Sequence, residues 1–290
     1  MVKTFNPSTL EECLITLSKE ETVILNGGTD LMVKKKNWSG LTPSFNKPVI
    51  FINNLVELKN IKQEKNSLII GSGCTFNQLA ESEIIPKYFK EVIKQIASPA
   101  IRNLATIGGN ICNASPAGDI LPALYALDAK LVLKSINKER VIPIKEFILG
   151  PGKISITPKE ILKEIILENF NQKNYYYHKL GTRKATALSK ASFIGFYSIE
   201  DNIVKDIRIA FGSVGPVIIR DRDLELTFVG SSLQDLKFKM DDVIDRYSEL
   251  IRPISDARST AQYRKKVCLN LLRNFFENKM ANVNSTYNQA

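Results

Sequence analysis

The sequence predicts an α+β protein. Short apolar runs alternate with helix-capping patterns through the first half of the chain, as strands and helices in mixed order do. Beyond a polar stretch at 169–174, three apolar runs follow one another with no helix signal between them. Two long helical patterns come last, so strands and helices segregate in the second half.

Ser8-Thr9-Leu10-Glu11 is a capping-box pattern and predicts a first helix over 9–18. Residues 23–25 form a short buried strand, Asp30-Leu31-Met32-Val33-Lys34 can begin a helix, and 49–52 form another strand. Together they make a small β-α-β unit to about residue 57. A second unit starts with a strand at 67–71 and a helix capped by Thr75-Phe76-Asn77-Gln78. A helix over 88–97 is stopped by Pro99, and a glycine loop follows at 106–110. The stretch 120–127 reads as buried, 130–134 alternates as a half-buried strand does, and 141–144 and 161–166 complete the unit.

The polar stretch at 169–174 marks the boundary. Strands are predicted at 175–179, 191–198 and 203–211; in the last, Ile207, Ile209 and Phe211 face one way and Asp206 and Arg208 the other. Helices follow near 232–245 and 255–276, the second with Tyr263, Val267, Leu271 and Phe275 at core spacing. The expected division is 1–172, in parts at about 1–57 and 58–172, then 173–279, then a disordered tail at 280–290.

Composition narrows the function. Four cysteines without a C-x-x-C pair argue against structural zinc, an iron–sulfur cluster or a disulfide framework in this chain, and suit reduced thiols in the cytoplasm. No apolar run is long enough to span a bilayer, and the N-terminus lacks the apolar core of a signal peptide. The net charge of +10 is spread among 30 acidic residues. Its densest run, Lys34-Lys35-Lys36, reads as a solvated face or an aid to anionic ligands. With no recognition motif beside it, nucleic-acid binding is not expected. A single histidine, His178, leaves no histidine-rich metal site to be built from this chain alone, and its Tyr-Tyr-Tyr-His-Lys setting reads as a strand residue rather than the base of a triad. No catalytic side chain and no metal ligand is assigned.

What remains is two glycine stretches. In the first, Asn26-Gly27-Gly28-Thr29-Asp30 follows the strand at 23–25; in the second, Gly108-Gly109 lies between Thr106 and Asn110. Glycine lets the backbone take positive φ and bring its N–H groups close to a bulky anion. Thr hydroxyls and an Asn amide add side-chain hydrogen bonds. Either stretch alone could equally be a tight turn. Two of them, each with a Thr, can clamp a diphosphate from two sides. Neither fits G-x-G-x-x-G or the P-loop pattern, so a Rossmann or Walker site is not supported.

The chain resembles the FAD-binding medium subunits of the molybdenum hydroxylases, the xanthine dehydrogenase and aerobic carbon monoxide dehydrogenase family. The resemblance lies in Gly27-Gly28-Thr29-Asp30-Leu31, in the block Ser-Pro-Ala-Ile-Arg-Asn-Leu-Ala-Thr-Ile-Gly-Gly-Asn-Ile-Cys-Asn-Ala-Ser-Pro-Ala-Gly-Asp at 98–119, and in Leu121-Pro122-Ala123-Leu124 with Leu127-Asp128-Ala129. It continues in Tyr177-His178-Lys179-Leu180-Gly181-Thr182-Arg183-Lys184, in the stretch 207–216, and in Pro253-Ile254-Ser255-Asp256-Ala257-Arg258 followed by Tyr263-Arg264. It covers nearly the whole chain in the family's order.

The resemblance implies a two-part FAD-binding domain of the vanillyl-alcohol-oxidase (PCMH) type, then a smaller C-terminal α+β domain. It implies FAD in this chain, bound by Asn26, Gly27, Gly28, Thr29, Asp30 and Leu31 as one pyrophosphate loop. Ala97, Thr106, Gly108, Gly109 and Asn110 belong to the second. Asp119 would bond the cofactor's sugar-like chain or phosphate edge, Leu162 would pack near the flavin ring, and Lys179 would approach it from the C-terminal domain. Against these stand a turn or cap role for Asp119, a plain core leucine at 162 and a solvated strand lysine at 179. Gly118 stands where a Ser or Ala often sits, and the cysteine-bearing insertion of the 4-hydroxybenzoyl-CoA reductase type is missing.

By the same resemblance, a small subunit carries [2Fe-2S] clusters and a large subunit the molybdenum cofactor, in a dimer of heterotrimers. Electrons would pass from the clusters to FAD and on to NAD+ or another acceptor. Xanthine or a related purine is the expected substrate of the complex, with carbon monoxide, nicotinate and aldehydes as alternatives. Rivals of other classes are a stand-alone FAD oxidase, a basic nucleic-acid module and a cofactor-free scaffold.

Overall fold

The structure, a computed structural model, describes residues 2–168, 170–184 and 186–280. It is α+β. The chain forms two compact units. The first comprises Met1–Ile85, Ile96–Ser115 and Asp128–Phe170; the second comprises Pro86–Gln95, Pro116–Leu127 and Asn171–Ala290. Two segments that precede the expected boundary at 172 thus belong to the second unit. Residues 281–290, read as a tail, lie outside the described residues. Met280, placed in that tail, instead ends a π-helical turn, Phe275–Met280, and is fully buried.

In the first unit a three-stranded parallel sheet has Val49–Phe51 at its centre, between Thr4–Phe5 and Val23–Leu25. Helix Leu10–Lys19 covers it, burying Leu10, Cys13, Leu14 and Leu17 with Ile50, Ile52, Leu55 and Leu58. The helix starts one residue later than the Ser8–Glu11 pattern predicts. Thr9 is its cap, accepting from Glu12 N, while the Ser8 N–H donates to Glu12 Oε2 at 2.7 Å. The cap has moved one step along the chain, and the Glu12 carboxylate reaches past it to the amide before.

Beside this lies a five-stranded antiparallel sheet, in the order Ile61–Glu64, Ser67–Gly71, Ile161–Glu168, Lys130–Lys134, Glu139–Pro143. Ile165 pairs with Ile70 on one side and Leu131 on the other. Lys130–Lys134 is more buried than its alternation implies, with Leu131, Val132 and Leu133 all buried. It is an inner strand, covered on both faces.

Pro99 does not stop a helix. Helix Lys87–Lys94 ends at Gln95, Ala97 takes the left-handed conformation (φ 44°), and Pro99 opens a further short helix, Pro99–Arg102, behind the Ser98 cap. Proline suits that first position because its missing N–H has no partner there anyway.

The second unit is built on an antiparallel sheet of Asn174–Leu180, Ala191–Glu200 and Ile203–Gly212. Helices Leu233–Leu250 and Ala261–Asn274 pack on it through Phe193, Phe211, Tyr247, Cys268, Leu272 and Phe275. In the last helix Arg264, Cys268 and Leu272 are buried, one residue along from the first three members of the predicted row; Tyr263 is exposed, while Phe275, the fourth, is buried as predicted. Cysteine packs as a small hydrophobe. Arg264 is tolerated inside because its head pairs with Asp256 at 2.5 Å. Helices Lys87–Lys94 and Leu121–Ala126 join this unit through contacts such as Tyr88 on Phe196, ring centroids 4.9 Å apart.

Candidate functional site

The first glycine stretch leaves the parallel sheet at the end of Val23–Leu25 and leads into the short helix Leu31–Lys34. Gly28 sits at φ 67°, a conformation that L side chains rarely adopt. A Cβ on Gly27 would stand 2.0 Å from the Leu104 carbonyl oxygen, so this loop lies directly on the backbone at 104–105.

The second stretch is not a loop. Thr106 caps helix Ile107–Asn113, and the glycine pair forms its first turn. Glycine is required at 108 by close approach, since a Cβ there would meet Ser72 Cβ at 2.6 Å. Its amides are engaged. Ile107 N donates to Cys74 O at 3.0 Å, Gly108 N to Ser72 O at 2.9 Å, and Gly109 N to Thr106 Oγ1 at 3.2 Å. By contrast, the N–H groups of Gly27, Gly28, Thr29 and Asp30 meet no acceptor among the described residues. The expected symmetrical clamp of two amide loops is therefore one open loop facing one closed helix turn.

Between them lies a cavity of about 510 Å³, entirely within the first unit. Asn26, Gly27, Gly28, Thr29, Asp30 and Leu31 line it on one side, Thr106, Gly108, Gly109 and Asn110 on another. Leu162 contributes to an apolar wall with Ile24, Ile154, Ile156 and Pro158. Two lining residues, Asn110 and Thr22, carry a buried oxygen (Oδ1 and Oγ1) with no hydrogen-bond partner. Glu160 also reaches the wall; the Arg140 guanidinium, bonded at 2.7 and 2.9 Å, holds its carboxyl down at about 2. Cys112 lines the cavity as a neutral thiol, pushed up to about 12 by burial.

Three predicted site residues are not among those lining it. Ala97 forms the left-handed bend before Pro99. Asp119 and Lys179 lie in the second unit, joined by an ion pair at 2.6 Å, with side chains only 9% and 6% exposed. Lys179 also donates to Gln95 O at 2.7 Å, and Ser189 Oγ donates to Asp119 Oδ1. Burial pushes the Asp119 carboxyl up, against the pull of Lys179 and the Ser189 hydroxyl. The Tyr177 hydroxyl, raised well above its usual range by burial and by Asp119, is enclosed with no partner. Lys179 is thus not a solvated strand lysine, and Asp119 is not the N-cap of the helix that follows it.

Sequence reasoning missed Thr22 and the wall at 154–160, and of the run Lys34-Lys35-Lys36, read as a solvated face or an aid to anionic ligands, only Lys34 lines the cavity. Thr157 and Glu160 did carry a local signal, because the Thr157 N–H donates to Glu160 Oε2 in the manner of a capping box. His178 is exposed, and no group of three metal-ligating side chains occurs among the described residues. No helix among them is long and apolar enough to cross a membrane.

Residues 1–167 match the family described as FAD binding domain in molybdopterin dehydrogenase. The chain belongs to that family. Residues 176–279 match the CO dehydrogenase flavoprotein C-terminal domain. The xanthine dehydrogenase FAD-binding subunit of Escherichia coli O157:H7 is 30% identical over 83% of this chain and 82% of its own length. The nicotinate dehydrogenase FAD-subunit of Eubacterium barkeri is 29% identical over 94% of each. Carbon monoxide dehydrogenase from Hydrogenophaga pseudoflava superposes with a TM-score of 0.86 at 25% identity, over 97% of each chain. The chain is an FAD-binding subunit of the molybdenum hydroxylase family, and so part of an oxidoreductase.

Proposed function

We propose that this chain is the FAD-carrying electron-transfer subunit of a multi-subunit molybdenum hydroxylase. It takes electrons from the [2Fe-2S] clusters of a small partner subunit and passes them to NAD+ or another acceptor, while a large subunit holds the molybdenum cofactor. The complex is a cytoplasmic dimer of heterotrimers. The observation that carries the reading is the open amide row at Gly27–Asp30, facing Thr106 and Asn110 across a cavity whose far wall is apolar. A dinucleotide has the matching order of parts: a diphosphate for donors and an aromatic group for an apolar wall.

The residues fit FAD in a second respect. The orphaned Asn110 Oδ1 and Thr22 Oγ1 are buried polar atoms whose partners the chain does not supply. In this reading Gly27, Gly28, Thr29 and Asp30 hold the diphosphate by their N–H groups, Asn110 adds a side-chain contact, and Leu162 excludes water. When bound, FAD supplies exchange between one-electron and two-electron partners, for which no protein acid or base is required.

Xanthine or a related purine is the proposed substrate of the complex, in keeping with the E. coli relative. Nicotinate is the second reading, favoured by the E. barkeri relative's match over more of the chain. Expression with its neighbouring subunits tests the assignment. The purified chain should show flavin absorbance and NADH-dependent dye reduction, and should copurify with polypeptides containing molybdenum and iron. Purine oxidation by the isolated, metal-free chain would refute the relay role.

A further inference from the structure

The cavity carries a charge arrangement that its glycines do not explain. Lys34 is the one lysine or arginine among the described residues lining it. Its ammonium stands 2.6 Å from Asp30 Oδ2 and donates to Asn113 Oδ1 at 2.5 Å. Asp30 ends the open loop, whereas Asn113 ends the helix on the facing wall, and both line the cavity. Lys34 therefore joins the two walls. The Lys34 and Asp30 side chains are 58% and 52% exposed, where such a pair adds little to stability.

The consequence for an anion is larger. The open N–H groups beside Asp30 are dipoles without net charge. A doubly charged diphosphate seated on them also meets the Asp30 carboxylate, and like charges at that range repel. We propose that Lys34 is the counter-charge of this site: it cancels Asp30 and so admits a diphosphate to the Gly27–Asp30 amides. This inference rests on the FAD reading above.

Flavin-free full-length protein should be titrated with FAD, following the quenching of flavin fluorescence, at rising KCl. Lys34→Met should weaken FAD binding on the order of tenfold at low ionic strength, with the difference shrinking as salt screens the charges. Lys34→Arg should keep the affinity. Asp30→Asn combined with Lys34→Met should recover most of it, because the repelling carboxylate is gone as well. Circular dichroism of each variant should match wild type. Equal affinity in Lys34→Met overturns the proposal; so does a loss that salt leaves unchanged, or a double variant as weak as the single one. Failure of the wild type to take up FAD overturns the reading beneath it instead.

Discussion

The charged pair of the second unit and the open groups of the first differ in how far the chain satisfies them. Around the cavity of the first unit, donors and acceptors are left open: the amides of Gly27–Asp30, Asn110 Oδ1 and Thr22 Oγ1. In the second unit, Asp119 and Lys179 meet each other, Ser189 and the Gln95 carbonyl. An open polar group costs stability while it waits for a partner, whereas a satisfied buried pair costs stability only when it is broken. Substitutions in the first region should therefore act mainly on the ligand, save at the glycines fixed by close approach, and those at the buried pair of the second should act on the fold.

The largest expected effect tests the closed region. Lys179→Ala leaves the Asp119 carboxylate buried without its cation, which should lower unfolding stability by about 3–5 kcal/mol. Lys179→Met with Asp119→Asn should recover most of that in a urea midpoint measurement. A single variant as stable as wild type would break the distinction between the regions.

Next come the two glycines fixed by close approach. Gly108→Val and Gly27→Val force a side chain against Ser72 and the Leu104 carbonyl, respectively. Each should cost about 3 kcal/mol, as overpacking does at its upper range. Gly28→Ala differs. Its Cβ would meet the flexible Met32 side chain at 3.2 Å and Leu25 at an ordinary 3.5 Å, so the cost is the left-handed backbone, about 1 kcal/mol. Flavin-to-protein ratio should fall in Gly28→Ala while circular dichroism stays native. Full flavin occupancy there would remove the open loop from the site.

The smallest effect is set by pH. Glu160 is held at about 2, below its ordinary 4.5, first by Arg140 and then by the Thr157 N–H. Because the folded value is depressed, the stability it contributes is present above 4.5 and is lost as pH falls through about 2. With part of Arg140 exposed, the loss should be about 1 kcal/mol. Melting temperature should fall less steeply across that acid range in Glu160→Gln than in wild type.

Both glycine stretches and the mixed strand–helix pattern were legible because they rest on short-range chemistry. The state of Gly108-Gly109 was not. Glycine is a poor helix former, yet at 108 a close approach to Ser72 outweighs propensity, and no local pattern reports a contact 36 residues away. The shifted core face of Ala261–Asn274 had the same cause. Arg264 reads as polar until Asp256 is placed beside it. Pro99 was ambiguous from the start, since proline both ends helices and begins them. Lys34 was visible only as part of a lysine run, and what separates it from Lys35 and Lys36 is the cavity it lines.

The interleaving of the two units bears on how the chain is made. A nascent chain that has just emerged to Phe170 already carries Pro86–Gln95 and Pro116–Leu127, segments of a unit whose sheet has not yet been synthesised. Tyr88, Phe89, Leu121 and Leu124, all but fully buried at the end, then have no surface to cover them. The first unit, complete at Phe170, can fold as the chain emerges, but only with these two segments left uncovered. A chain truncated at residue 170 should be prone to aggregation for the same reason, and a chaperone that shields those two segments would act in the interval before Ala191–Glu200 leaves the ribosome.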